Sequence, residues 1–354
     1  MRKLFIILIT CGIFFNLSSC NRRQPHESFS FDRIYYYAIQ EDVQKIVESI
    51  NSFNEDSLTD DQKELKRKYN SRFLSRSEES NFTSNDSFLI NILSVFHNYW
   101  IEVLMKKTTI NRADKKYRIL LTNLLISSTN SSNRNAIQSD FKNSMSKFLK
   151  EKGYFTRIDR TGNIMDFMIW TSQTIKMYKV KIQDSVLEVP VVLIDSVLSY
   201  GWEGFATFDH FYPGGWSAPD TLYCVTKDYD FNSEKFLVSY LTHETQHLYD
   251  SKTYSGYPRW MAEYRAKLAE LSVSDSTTYN LLGAFIKGNK DDRKLTHPYA
   301  EYMLVKGLSK DIFNTNFVTE INKWKNVPIA KINGTAKRLL KENSRTLKFK
   351  THSL

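Results

Sequence analysis

The stretch FLVSYLTHETQHLYDSKTYSGYPRWMAEYRAKLAEL, residues 236–271, carries two of the chain's seven histidines. They stand four positions apart, with a glutamate directly after the first. Residues 234–250, EKFLVSYLTHETQHLYD, contain neither Gly nor Pro, and Phe236, Leu237, Tyr240, Leu241 and Leu248 supply an apolar flank. That pattern predicts one continuous helix. On a helix, positions i and i+4 lie above one another on the same face, so His243 and His247 can offer two imidazoles to one ion. Glu244 is one step round, where a carboxylate can take a proton from a metal-activated water.

Two histidines do not complete a catalytic zinc site, which usually has three protein ligands and an open position. The next segment, SGYP at 255–258, contains Gly256, which can end the first helix, and Pro258, which can sit in the first turn of the next. PRWMAEYRAKLAEL then reads as a second helix returning beside the first. Glu263 lies in its first two turns and is the expected third ligand. Glu270, two turns on along the same face, is a reserve ligand or a group that orients one.

HExxH followed by a glutamate on a downstream helix resembles the gluzincin group of zinc metallopeptidases. WMAEYRA, with Trp260, Glu263 and Ala266, is similar to the W-x-x-E-x-x-A run around the third ligand in the aminopeptidase branch. The resemblance covers about residues 200–310. It implies that His243, His247 and Glu263 bind Zn2+ and that Glu244 is the general base. The interval from His247 to Glu263 is shorter than in the best-known members. The Gly-Ala-Met-Glu-Asn motif of aminopeptidases is absent, and GGWSAP, residues 214–219, stands at about the matching distance upstream. An endopeptidase is therefore expected rather than an enzyme gripping a free amino terminus. The metzincin pattern is absent too, because Asp250 and Thr253 occupy the places of its Gly and third His.

Such chemistry needs a donor for the developing oxyanion. LTHPYAEYML, residues 295–304, offers His297, Tyr299 and Tyr302. TLYCV, residues 221–225, is either an edge strand for a bound peptide or an interior strand. Cys224 within it reads as a small buried apolar residue, since no basic partner marks a nucleophile. His210 and its aromatic neighbours either line a cleft or pack.

Outward from this region the fold class is α+β. Residues 31–150 read as a mostly helical N-terminal domain. FDRIYYYAIQEDVQKIVESI has helical periodicity, Thr59 before two acids is an N-cap signal, and DSFLINILSVFHNYWIEVLMKK is a buried helix. His97 in that helix reads as a core residue. Beyond Gly153, YFTRID, IMDFMIW, TIKMYKVKI and VLEVPVVLIDSVL alternate like strands, with a turn at QDS. They make a small mixed sheet, followed by helices, in a zincin-like metallopeptidase domain at 151–354. No internal repeat is present.

At the N-terminus, MRK precedes an apolar run from Leu4 to Leu17, too short to span a membrane comfortably and suited to a signal peptide. LSSC, residues 17–20, resembles the bacterial lipobox. That implies a lipoprotein signal peptide at 1–19, acylation of Cys20, and a polar tether at 20–30. The expected location is the bacterial cell envelope, on the periplasmic face or the cell surface.

Composition agrees with a folded body. The 354 residues are 41% hydrophobic and 25% charged, which excludes a disordered or collagen-like chain. The net charge of +10 is dispersed, and no Lys/Arg run marks a nucleic-acid site. Of three cysteines, Cys11 and Cys20 lie in the N-terminal segment, so no disulfide framework or CxxC zinc pattern exists in the body. The expected activity is hydrolysis of a peptide or protein substrate by an exported, lipid-anchored enzyme. The alternatives are a non-catalytic lipoprotein that binds peptide or glycan, with a structural or degenerate metal site, and a zinc hydrolase for a non-peptide amide such as in cell wall.

Overall fold

The computed structural model describes residues 8–10, 29–76, 86–129 and 134–351. The expected lipidation site at Cys20 and most of the signal peptide and tether lie outside the described residues. The chain forms two compact units, one of 19–172 with 195–212, the other of 1–18 with 173–194 and 213–354.

The first unit is mostly helical, as its periodicity predicts. Its helices are α1 (Phe31–Ile39), α2 (Val43–Asn51), α3 (Asp60–Tyr69), α4 (Ser87–Leu104), α5 (Ile110–Thr129), α6 (Arg134–Ser139) and α7 (Phe141–Glu151). Thr59 does cap α3. Its hydroxyl accepts from the Gln62 amide at 3.4 Å, and the Gln62 side chain accepts from the Thr59 amide at 2.9 Å. Helix α4 is the centre of the core, with Leu89, Ile92, Phe96, Tyr99 and Trp100 fully buried. His97 stacks on Phe205, with centroids 4.5 Å apart, and burial pushes its pKa down to about 3, so it stays neutral.

The expected boundary at 150/151 falls inside this unit. Strand β2 (Phe155–Thr161) and the first half of β3 (Ile164–Ile182) form a hairpin running from Phe155↔Trp170 to Thr161↔Ile164. Ile158, Ile164, Phe167 and Ile169 from it, and Trp202 and Ala206 of α8 (Gly201–Thr207), belong to the same apolar core as α4. Burial of these side chains, rather than the change from helix to strand, sets the limit of the unit.

The second unit holds the rest of the sheet and the remaining helices. The strand order is β1-β5-β6-β4-β3-β2, with β1 at Leu8–Thr10, β4 at Ser185–Tyr200, β5 at Pro213–Ser217 and β6 at Leu222–Val225. IMDFMIW and TIKMYKVKI are one strand rather than two, and β3 turns into β4 through Gln183, whose φ is +54°. Strand β6 pairs parallel with β4, from Val191↔Leu222 to Ile194↔Val225, and antiparallel with β5, from Gly215↔Cys224 to Ser217↔Leu222. TLYCV is therefore interior, and GGWS lies outside it, with the backbone of Leu8–Thr10 paired along the far side of GGWS.

Val180, Val189, Val191, Leu222 and Cys224 of the sheet pack on Phe236, Tyr240, Leu241 and Leu248. This contact seats α9 (Glu234–Phe236), a π-helical turn (Leu237–Thr242) and α10 (His243–Thr253) on the sheet. A second core joins α11 (Arg259–Val273), α12 (Thr278–Gly288), α13 (Thr296–Phe313), α14 (Ile321–Lys325) and α15 (Ile329–Thr351). Among the described residues no helix is long and apolar enough to cross a membrane.

Candidate metal centre

The helix expected over 234–250 is not uniform. Residues Leu237–Thr242 form a π turn, and the Thr242 hydroxyl donates to the Leu237 carbonyl at 3.0 Å. Such a turn has a wider i→i+5 hydrogen-bond step and occurs often beside functional residues. Here it directly precedes His243. Helix α10 ends with Tyr254 in extended backbone, and Gly256 takes φ +77° in the connection. Pro258, at the N-cap of α11, starts the return helix.

Across this turn α11 brings Glu263 to the two histidines. The Nε2 atoms of His243 and His247 are 3.0 Å apart. His247 Nε2 lies 3.4 Å from Glu263 Oε1, and His243 Nε2 lies 3.5 Å from Glu263 Oε2. All three side chains are buried, and one ligand atom from each lies within 4.8 Å of the others. Donor atoms bound at about 2.0–2.2 Å around a tetrahedral ion stand about 3.3–3.6 Å apart, close to the spacing here. Neither Glu263 oxygen makes a hydrogen bond of normal geometry, although imidazole nitrogens surround it. Two imidazole nitrogens and a buried carboxylate with both oxygens unsatisfied, converging at this spacing, fit a two-His, one-carboxylate cation site.

Glu270 does not join this triangle. It contacts Nδ1 of His243, on the ring edge away from His247. Ala266, fully buried one turn after Glu263, keeps the helix surface small between the two glutamates. Burial alone lowers the His243 pKa, but the Glu270 carboxylate and then Glu263 outweigh it and push it up to about 10. Burial opposes ionisation of Glu263, yet the His297, His247 and His243 rings hold it well below the usual carboxylate range. Lys267, between the two glutamates on α11, pairs with Glu301 at 3.0 Å.

Glu244 is fully buried, and neither of its oxygens has a hydrogen-bond partner. Burial pushes its pKa up to about 8, against the opposing influence of His243 and of Ser217 on β5. A carboxyl group with free oxygens beside a ligand cluster is poised to exchange a proton near neutral pH.

Of the three downstream candidates, His297 reaches the cluster. It stands at the start of α13 with Nδ1 3.0 Å from Glu263 Oε2, and it is 38% exposed where the ligand side chains are nearly sealed. Tyr299 and Tyr302 are engaged elsewhere. The Tyr299 hydroxyl accepts from Arg293 Nε at 3.1 Å and its ring packs edge-on against Trp260. Tyr302 stacks on Phe317 and its hydroxyl accepts from Lys306 at 3.3 Å. His210, in the helical unit, is exposed and stacks on Tyr35. Cys224 is fully buried in the sheet core, as its apolar neighbours predict.

A second polar cluster, not expected from the sequence, lies beside the triangle. Asp250 and Arg265 form a fully buried ion pair, Nε to Oδ2 at 2.7 Å and Nη2 to Oδ1 at 2.8 Å. A legible signal existed. Opposite charges stand at similar distances on either side of SGYP, each within three residues of an expected ligand.

No family model, curated protein or solved structure matches the chain.

Proposed function

We propose that the protein is a zinc-dependent hydrolase of peptide bonds, of the gluzincin type, exported to the bacterial envelope and held there by acylated Cys20. The observation that carries this is the convergence of His243, His247 and Glu263 beside the unpartnered carboxyl group of Glu244.

In this reading His243, His247 and Glu263 hold the ion and Glu244 is the base. A zinc ion in such a donor set supplies Lewis acidity toward a carbonyl oxygen and toward water. Glu244 takes the proton from the attacking water and passes it to the leaving amine. Its free oxygens and raised pKa suit both halves of that transfer. Glu270 accepts from Nδ1 of His243, which leaves the Nε2 lone pair directed at the cluster. His297, at the exposed rim, is the donor to the carbonyl oxygen as it gains charge. Tyr299 and Tyr302 have no such role. An endopeptidase fits better than an aminopeptidase, because no glutamate stands on the GGWS strand to grip a free amino terminus.

The test is metal analysis of purified protein beside peptide-library hydrolysis. About one zinc per chain is expected, lost in His243→Ala. Glu244→Gln is expected to keep the metal and abolish cleavage. A folded protein that takes up no zinc overturns the proposal. If Glu244→Gln keeps every cellular function of the wild type, the non-catalytic lipoprotein is the better account.

A further inference from the structure

Arg265 and Asp250 lie outside the triangle of ligand atoms but on the same two helices. Asp250 is three residues after His247 on α10, and Arg265 is two residues after Glu263 on α11. Both are fully buried. Their two parallel contacts, at 2.7 and 2.8 Å, are a guanidinium–carboxylate fork. The network extends in both directions. Gln246, inside the HETQH motif itself, donates from Nε2 to Asp250 Oδ1 at 2.8 Å. Arg265 Nη1 donates to Asn343 Oδ1 and to Ser344 Oγ of α15, each at 3.0 Å. The Ser344 hydroxyl in turn lies 3.3 Å from Gln183 Oε1 at the β3–β4 turn.

A general need for stability explains this arrangement poorly. Two charges lose their hydration on burial, and apolar residues of the same volume often serve stability as well or better. An apolar contact between α10 and α11 is also non-directional and tolerates small slides of one helix along the other. A bidentate fork does not, because both of its bonds must remain short and coplanar. Ligand geometry needs that restraint, since a metal or catalytic constellation must be held within about half an ångström. The fork has a second consequence. It engages both oxygens of Asp250, a carboxylate one turn from His247 that would otherwise be a rival donor.

We propose that the Asp250–Arg265 fork is the positioning device of the metal centre, fixing α10 against α11 so that His243, His247 and Glu263 converge, with α15 bracing Arg265 from behind. This rests on the zinc reading above. Asp250 and Arg265 are positioning residues and do not touch the ion or the substrate.

The experiment compares the full chain with Asp250→Asn, Arg265→Met and the double variant Asp250→Leu/Arg265→Met. Zinc affinity is measured by competition with a chromophoric chelator, and metal-free stability by thermal melting. Each single variant leaves a buried polar group unpaired, so loss of stability alone explains nothing. The double variant leaves no unpaired charge, though the Gln246 amide loses its acceptor, and is expected to melt above either single variant. The expected result is zinc binding weaker by about tenfold or more in the double variant despite that recovered stability. A double variant that binds zinc as tightly as the wild type overturns the proposal and leaves the zinc reading standing. A wild type that binds no zinc overturns both.

Discussion

Glu270 and Glu263 approach His243 from opposite edges of its ring, Glu270 at Nδ1 and Glu263 at Nε2. The two glutamates are two turns apart on α11, so in the proposed zinc site one helix would supply both a ligand and the group that orients a ligand. This separates roles that spacing alone left open. Glu263→Ala is expected to lose bound zinc. Glu270→Gln is expected to keep about one ion per chain and bind it roughly 10- to 100-fold more weakly. Chelator competition on the two variants decides the assignment, and the reverse order of effects overturns it.

The carboxyl group of Glu244 makes no hydrogen bond of normal geometry, with only the Ser217 side chain near enough to influence it, so its replacement breaks little. Glu244→Gln should therefore melt no lower than the wild type, in contrast to most substitutions of buried charged groups. Hydrolysis should fall by at least about 100-fold, the usual contribution of a general base. His297→Ala should also slow turnover, while retaining zinc, because its ring touches Glu263 from the exposed rim and is not one of the three clustered residues. Loss of zinc in His297→Ala would make it a fourth ligand instead.

Much of this centre was legible in the sequence, because it lies on two adjacent helices joined by a short turn. Helical spacing places His243 and His247 on one face, and the Gly256/Pro258 break returns Glu263 to them. The π turn at Leu237–Thr242 was hidden, since neither its composition nor its periodicity differs from an α-helix. TLYCV was ambiguous because an apolar strand reads alike at an edge and in the interior, and only pairing on both sides decides. The limits of the helical unit were also hidden. They depend on where Phe167 and Trp202 are buried, which is a long-range property. Tyr299 and Tyr302 misled for a similar reason. They share a helix with His297, but Arg293, Trp260, Lys306 and Phe317 engage them.

The metal-free protein should bind zinc more tightly as pH rises. His243 holds a proton up to about 10 and Glu244 up to about 8, and ligation requires a neutral imidazole. Between pH 6 and 8 the affinity should rise by about tenfold per pH unit for each proton displaced. Both pKa values are raised above the ordinary 6.5 and 4.5. Their stabilisation is thus complete below those ordinary values and is lost as pH rises through about 10 and about 8. The metal-free melting temperature should fall from pH 6 to 9, and the zinc-loaded one should fall less. Affinity independent of pH would show that His243 carries no proton in the metal-free site. In Glu270→Gln the slope should flatten, because the carboxylate that holds that proton is gone.

Glu234 secures the other end of the helix pair. Its carboxylate, just before the π turn, accepts from the backbone amides of Asp275, Ser276 and Thr277 at 2.9–3.2 Å and from the Thr277 hydroxyl. These residues follow α11, so Glu234 ties together the far ends of the two segments that carry His243, His247 and Glu263. Burial raises its pKa, but the hydrogen bonds from Thr277, Ser276 and Asp275 prevail and lower it to about 2 from an ordinary 4.5. A depressed carboxylate contributes stability that is complete above its unfolded pKa and is lost as pH falls through the folded one. The contribution is therefore present at pH 7 and disappears between about 4.5 and about 2. Glu234→Gln should lower the melting temperature at pH 7, and its difference from the wild type should shrink across that acid window. A difference that stays constant from pH 7 to pH 2 would mean that shape, and not the charge of the carboxylate, holds the loop.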